Sequence, residues 1–427
     1  MDSLVLFLAV FFFLLAVGVP VGFSLGSTMV FLVVFKSSLP LMIVSQQMII
    51  GADNFTLIAI PFFILAAELM GCGGIAHRLI DFVNSVVGWI RGGLGLVNVG
   101  TNMVLAGLSG SSVADAALTS SFFIPTMVRR GYAPAFSAAL TAAASVMGII
   151  IPPSIPMILL GLIAGQSVLS LFLGGVVPGL LIGLSLMAVT YHLARKRDYP
   201  AESRVPLREI WRRFRATLWA TLYPVIIIGG ILGGVFTLTE ASVVAVVYAL
   251  VVGSLVYREL TFKGLYTSMK NAAITASLIM FIAATASGVA WFLNSERVPQ
   301  MIATFLSQLT RDPLTFMLII NVFLLIVGCV MDLTPALLIL GPILYPVSKQ
   351  YGIDPIYFGV VMVVNLAIGL VTPPVGNCLY IATAVAKVPV TEVIKEILPF
   401  LVALIVILFL ITFFPFLITW LPTALKT

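Results

Sequence analysis

Two short stretches hold the residues with the most evident chemical potential. GIIIPPSIP at 148–156 and GLVTPPVGN at 369–377 each place a proline pair inside a long apolar run. A proline pair removes two backbone donors and pushes the residue before each ring out of the helical region, so several carbonyls lose their intrahelical partners. Inside a membrane such backbone is tolerated only where it is buried in protein or faces a cavity, and freed carbonyl oxygens suit hard cations. One such site alone reads as a structural kink. Two at equivalent positions of a repeat read as ion or substrate sites.

Upstream of each proline pair lies a second irregularity. AGLSGSSVADAAL (106–118) sets Ser109, Gly110, Ser111 and Ser112 within apolar sequence, and VGCVMDLTPALL (327–338) does the same with Asp332 and Thr334. Each resembles the tip between two half-helices. Ser112 with Asp115 has the spacing of a capping box, and Thr334-Pro335 that of an N-cap followed by a favoured first helical residue. The 37 residues between Arg91 and Arg129 suit either two tilted full spans or two half-spans meeting at mid-membrane. The polar tip favours a re-entrant hairpin, with its hydroxyls and helix N-terminus opposite a broken helix to complete an oxygen cage.

The elements that must position these residues show in the wider pattern. Sliding the chain by 221 residues lays 107–164 over 328–385 without a gap. Gly107, Pro125, Gly131, Pro134, Gly148, Pro152 and Pro153 then fall on Gly328, Pro346, Gly352, Pro355, Gly369, Pro373 and Pro374. Composition alone gives roughly 0.6 such matches in this window. The matched residues set backbone geometry, as an inverted repeat requires. Hydrophobic residues make up 61% of the 427 and charged ones 9%, with apolar runs throughout, so the fold class is an all-α polytopic membrane protein. Residues 4–19 read as a first membrane helix, since no basic residue precedes them as in a signal peptide.

Of the 22 Lys and Arg residues, eight lie between His192 and Ala216. This segment reads as a cytoplasmic loop or surface helix, and one basic flank is no nucleic-acid signature. The termini, with only Lys426 in the tail, read as periplasmic, which requires an odd number of crossings per half. Cys72, Cys329 and Cys378 have no metal spacing and read as packing residues. With only His77 and His192 present, no metal or His-dependent nucleophile site supports an enzyme. Glu240 ends Thr-Leu-Thr-Glu, so capping and transport chemistry are both open to it. Glu68 has no local partner, leaving a helix-packing hydrogen bond or a substrate or proton role. Asp332 stands at a break, where a carboxylate attracts a cation, and Asn365 and Asn377 flank the second proline pair as possible ligands. Arg297, Arg311, Lys349 and Lys387 mark membrane surfaces.

Together SGSSVAD at the first tip, IPPS, PVGFSLG at 20–26, TLTEASVVAVVYA at 237–249, MDLTP and VTPPVGN resemble the large membrane subunit of a tripartite ATP-independent periplasmic (TRAP) transporter. The match runs through nearly the whole chain. The resemblance implies a bacterial inner-membrane, elevator-type secondary transporter driven by sodium. It would take an anionic substrate, such as a C4-dicarboxylate or sialic acid, from a periplasmic substrate-binding protein, braced by a small four-helix membrane subunit and surrounded by membrane lipid. The alternative is a self-sufficient sodium/carboxylate symporter or ion antiporter of a related elevator family.

Carried over by residue, the resemblance implies two or more Na+ sites. The first would use Ser109 and Ser111 with carbonyls of Gly148, Ile151 and Pro153; the second would use Gly328 with Gly369, Thr372 and Val375. Candidate substrate contacts are Ser112, Asp115, Pro152, Ser154, Asp332, Thr334, Asn365 and Asn377. The implied organisation is scaffold at 1–91 and 217–312, transport-domain parts at 92–191 and 313–400, a basic linker at 192–216 and a C-terminal membrane helix at 401–427. Gly-rich stretches at 71–74 and 229–234 would allow close helix approach or hinge motion.

Overall fold

The computed structural model describes residues 2–37 and 39–425; Lys426 lies outside the described residues. Every regular element among them is helical. The first half contains α1 (Asp2–Ala16), α2 (Val21–Lys36), α3 (Met42–Ala52), α4 (Ala59–Cys72), α5 (Ile75–Val87), α6 (Gly93–Ser109), α7 (Ser112–Arg129), α8 (Pro134–Ser145), α9 (Ile155–Ala164) and α10 (Val168–Lys196). The second contains α11 (Leu207–Leu232), α12 (Leu238–Val251), α13 (Phe262–Ser295), α14 (Val298–Leu309), α15 (Pro313–Val330), α16 (Leu333–Gln350), α17 (Pro355–Gly369), α18 (Asn377–Ala386), α19 (Val390–Phe413) and α20 (Phe416–Ala424). Seven helical stretches are long and apolar enough to cross a membrane. The chain is thus an all-α polytopic protein.

The 221-residue offset carries through to the helices. Adding it to Ser112–Arg129 gives 333–350, the bounds of α16, and adding it to Ile155–Ala164 gives 376–385, one residue from α18. The shared glycines and prolines explain the match. Gly131 and Gly352 hold φ of 87° and 68° after the second arm of each hairpin, a region that side chains avoid. Pro134 and Pro355 follow in the first turn of α8 and α17, where the missing N–H costs nothing. Pro152-Pro153 and Pro373-Pro374 then separate α8 from α9 and α17 from α18, each pair joined by a cis bond.

These half-helices form the centre of the molecule. All residues of α8 from Ala135 to Ser145 are buried, as are Tyr357 to Gly369 of α17, and a helix buried all round needs no polar face. The small side chains of PAFSAALTAAAS let neighbours come close. Helix α8 packs against α7, α18 and α19, while α16 packs on α9 and α17. A second group surrounds them: α13 lies along α2, α3 and α4, α12 on α4, and α11 on α5. The groups meet where α5 touches α6 and α13 touches α16.

Three segments singled out in the sequence take the following form. The basic segment 192–216 is helical at both ends, since α10 continues to Lys196 and α11 starts at Leu207. Only 197–206 connects them, and it is anchored: Arg197 pairs with Glu396 at 2.8 Å, and Glu202 accepts from Asn84 at 2.8 Å. The divisions at 191 and 400 fall inside α10 and α19, the latter beside Pro399, through which α19 continues. Of the glycine-rich stretches, Gly73 meets Gly253 closely, with a Cβ on it falling 3.3 Å from the Gly253 Cα, whereas Gly71, Gly229 and Gly234 have open space beside them.

Candidate functional site

Each hairpin tip rests on the break of its own half. In the first, Gly110 takes φ of 62° to turn from α6 into α7, and a Cβ there would fall 2.7 Å from the Pro153 carbonyl oxygen. Gly148 lies under the tip, where a Cβ would stand 3.0 Å from Ser111 C and Ser112 N. The tip therefore meets the middle of the broken helix, which settles the length ambiguity in favour of a re-entrant hairpin. In the second half Gly328 and Gly369 stack backbone on backbone: a Cβ on Gly328 would lie 3.2 Å from the Gly369 Cα. The Val375 N–H donates to the Cys329 carbonyl at 3.2 Å, tying tip to break.

Regular helical hydrogen bonding is interrupted at both breaks. Before the first, Ile150 and Ile151 both donate to the Met147 carbonyl, and helical bonding resumes with Ile158 donating to Ser154. Between these points the Pro153 carbonyl faces Gly110 of the tip, and Gly148 lies against Ser111 and Ser112. At the second break Thr372 N donates to the Gly369 carbonyl at 3.1 Å and its hydroxyl to Ile368 at 2.7 Å. A carbonyl or hydroxyl oxygen so engaged keeps a further lone pair.

Helix starts differ from the sequence reading. Ser111, not Ser112, caps α7 by accepting from Ala114 N at 3.4 Å. Ser112 is inside the helix and donates to the Val146 carbonyl at 3.2 Å, joining tip to break. Helix α16 starts at Leu333 after Asp332, which makes no side-chain cap bond, so Thr334 is not the cap either. The two observed cap positions, 111 and 332, are again 221 apart. A Pro at the third rather than first helical position shifted the reading. Glu240 does close a capping box with Thr237.

The candidate substrate residues separate into three groups. Asp115 is buried beside Ser109, and its Oδ2 has no hydrogen-bond partner among the described residues. Asp332 accepts from Asn377 at 3.0 Å, and Asp332 and Thr334 share a small cavity with Gly110, Ser111 and Ser112. The two tips thus converge, and the Cys378 thiol, bonded to Ser145, lies within electrostatic range of both Asp115 and Asp332. Pro152 packs its carbonyl towards Gly107. Ser154 and Asn365 each make a protein hydrogen bond, although the Asn365 Oδ1 has no partner among the described residues. The Ser154 hydroxyl donates to Ile149 at 2.6 Å and caps α9, while Asn365 donates to Asn321 at 2.8 Å inside the core.

An opening of about 550 Å³ lies between the first tip and helices α4 and α13. Ser109, Ser111 and Asp115 form one wall; Glu68, Cys72 and Thr275 belong to the other. Its size suits a small organic molecule. Glu68 accepts from Asn271 at 3.4 Å, a partner 203 residues away that local sequence could not reveal. Cys72 lines this space and is exposed rather than a packing residue. Sequence reasoning also missed Asn98, bonded to Thr141 at 2.6 Å, and Asn321, bonded to Thr412 at 2.9 Å. Amides within otherwise apolar helices were the available signal.

The comparisons with known proteins agree with the geometry. Residues 8–417 match the family described as tripartite ATP-independent periplasmic transporter, DctM component. The chain is 40% identical over 404 residues to the 2,3-diketo-L-gulonate TRAP transporter large permease protein YiaN of Escherichia coli, covering 95% of each. It is 42% identical over 364 residues to the C4-dicarboxylate TRAP transporter large permease protein DctM of Pseudomonas aeruginosa, covering 85% of each. The crystal structure of the Alcanivorax borkumensis YdaH transporter shares the fold, with a TM-score of 0.60 at 15% identity, covering 89% of this chain and 87% of that one. The chain is a transporter subunit and not an enzyme: it belongs to the large permease component of the tripartite ATP-independent periplasmic transporters.

Proposed function

We propose that the chain couples inward movement of sodium to import of an organic acid delivered by a periplasmic substrate-binding protein. The single observation that carries this reading is the repetition of one oxygen-rich unit, a hairpin tip seated on a proline-broken helix, in both halves. One sodium ion would bind Ser109, Ser111 and the carbonyls of Gly148, Ile151 and Pro153. A second would bind between Gly328 and the Gly369, Thr372 and Val375 segment. The unpartnered Asp115 oxygen next to Gly148 fits a nearby cation, since a buried carboxylate oxygen without a donor is costly.

The cavity beside the first tip is the proposed substrate site. Its tip wall presents the N-terminus of α7, which favours an anionic group. The tips and breaks would move together as an elevator against α1–α5 and α11–α14, in the bacterial inner membrane, with a small four-helix subunit bracing the outer helices. The 197–206 connection would face the cytoplasm and the termini the periplasm.

The test is thermal unfolding of the purified chain, titrating sodium against potassium or choline at constant ionic strength. A ligand that binds only the folded state stabilises it by about 2.7 kcal/mol at a hundredfold excess over Kd. Sodium should raise the midpoint, and Ser109→Ala and Thr372→Ala should each reduce the rise. An unchanged midpoint in sodium would overturn the coupling-ion assignment.

A further inference from the structure

The cavity beside the first tip has an uneven charge. None of its lining residues is Lys, Arg or His, and two are acids. Asp115 stands on the tip wall against Ser109 and Gly148, where the proposed sodium ion would balance it. Glu68 stands on the opposite wall, on α4, held by Asn271 at 3.4 Å. The Ser268 hydroxyl supports the same wall, contacting the Glu68 carbonyl at 3.3 Å and the Cys72 sulfur at 3.4 Å. Thr275 adds a hydroxyl one turn beyond Asn271.

We infer that Glu68 makes this cavity selective for organic acids with one carboxylate and several hydroxyl groups, and against dicarboxylates. The inference rests on the reading of the cavity as the substrate site. A single carboxylate is met at the tip by the α7 N-terminus and a coupling ion. The rest of the molecule then reaches the Glu68 wall, where an ionised carboxylate accepts hydrogen bonds and donates none. Sugar-acid hydroxyls donate to it. A second carboxylate brings like charge into a cavity without a basic side chain and offers no donor, so Glu68 gains no partner beyond Asn271. A site with a polar group that one substrate satisfies and another leaves unpaired discriminates strongly between them.

Cys72 supplies the measurement, because it is exposed in the same cavity. The full chain, with its small subunit and at fixed sodium, is reacted with methyl methanethiosulfonate, and modification of Cys72 is followed by peptide mass spectrometry. D-gluconate should protect Cys72 at a concentration about tenfold below that needed for succinate. Glu68→Gln should narrow that ratio to about twofold, whereas Glu68→Asp, which keeps the charge, should preserve most of it. Equal protection by both acids in the wild-type chain overturns the inference, and so does a ratio unchanged in Glu68→Gln. That wild-type comparison decides the matter even where a variant fails to fold. If neither acid protects Cys72, the cavity is not the substrate site and both statements fall, while the sodium-dependent unfolding result stands independently.

Discussion

The two tip-and-break units share a backbone plan and differ in what closes them. In the first, side chains bridge the gap: Ser112 donates to Val146 and Ser154 to Ile149. In the second, backbone comes closer, with Gly328 against Gly369 and Val375 N bonded to Cys329, and a single side-chain bond, Asn377 donating to Asp332, joins tip to break. Pro152 and Pro153 are buried, whereas Pro374 is exposed. The first tip also faces the large cavity. The repeated frame therefore keeps one backbone plan in both copies while the side chains presented at the two tips differ. Backbone geometry is kept by the glycines and prolines, and side chains are free to diverge between copies.

The largest expected effect tests that difference at its tightest point. A Cβ on Gly369 would lie 2.6 Å from Gly328 C and 2.7 Å from its Cα, and backbone cannot rotate aside. On Gly148 the nearest obstacle is the end of the Asp115 side chain, which can turn away. Overpacking in a dense core costs about 1–3 kcal/mol. Gly369→Ala should therefore lower the unfolding midpoint in sodium-free detergent by more than Gly148→Ala, with roughly 3 against roughly 1 kcal/mol. A larger loss in Gly148→Ala would mean that the second unit is not the backbone-closed one.

An intermediate effect concerns the amides that brace each unit. Asn98 joins α6 to α8 through Thr141, and Asn321 joins α15 to both α17 and α19 through Asn365 and Thr412. Loss of the amide takes the donor from the Thr141 or Thr412 hydroxyl oxygen, and in Asn321→Ala leaves the Asn365 amide only the backbone carbonyl of residue 321, at about 1–3 kcal/mol for a group left unsatisfied. Asn321→Ala removes two interhelical links to oxygen or nitrogen partners, and Asn98→Ala one, besides its long contact with the Met127 sulfur at 4.0 Å. The former should lower the midpoint more, and equal shifts would show that Asn365 finds another partner.

Much of this frame was legible because Gly and Pro act on the backbone alone. Gly131 and Gly352, or Pro134 and Pro355, have local consequences that need no knowledge of neighbours, so a single offset placed the hairpins and broken helices. Contacts across the sequence were not legible. Glu68 showed no partner because Asn271 reaches it from α13, and the bond from Asn365 to Asn321 depends on how α15 packs on α17. The caps at Ser111 and Asp332 were misplaced for a related reason. Capping motifs record which residue can cap, while the start of α7 and α16 depends on where the tip must turn over the break. The candidate ligands Ser109 and Gly148 were visible, but their closeness to an unpartnered Asp115 oxygen required three dimensions.

The smallest expected effect sharpens the comparison at the two cap positions. Ser111 accepts from Ala114 N at 3.4 Å, a long bond, and Asp332 makes no cap bond at all. A good cap contributes about 1 kcal/mol, and one this long at most about 0.5. In sodium-free buffer Ser111→Ala should therefore shift the midpoint little. If its hydroxyl belongs to the first ion cage, the same variant should lose most of that site's sodium-dependent rise, because ligand stabilisation depends on affinity and not on the cap. Asp332→Asn keeps a group able to accept from Asn377 while removing the charge, so its sodium-free midpoint should also hold. The Asp332 carboxylate is not among the proposed second-site ligands, so its substitution should weaken sodium stabilisation less than Thr372→Ala does. The reverse order would place the second unit's cation at the tip acid and make the two units alike in using side chains at position 111 and its repeat equivalent.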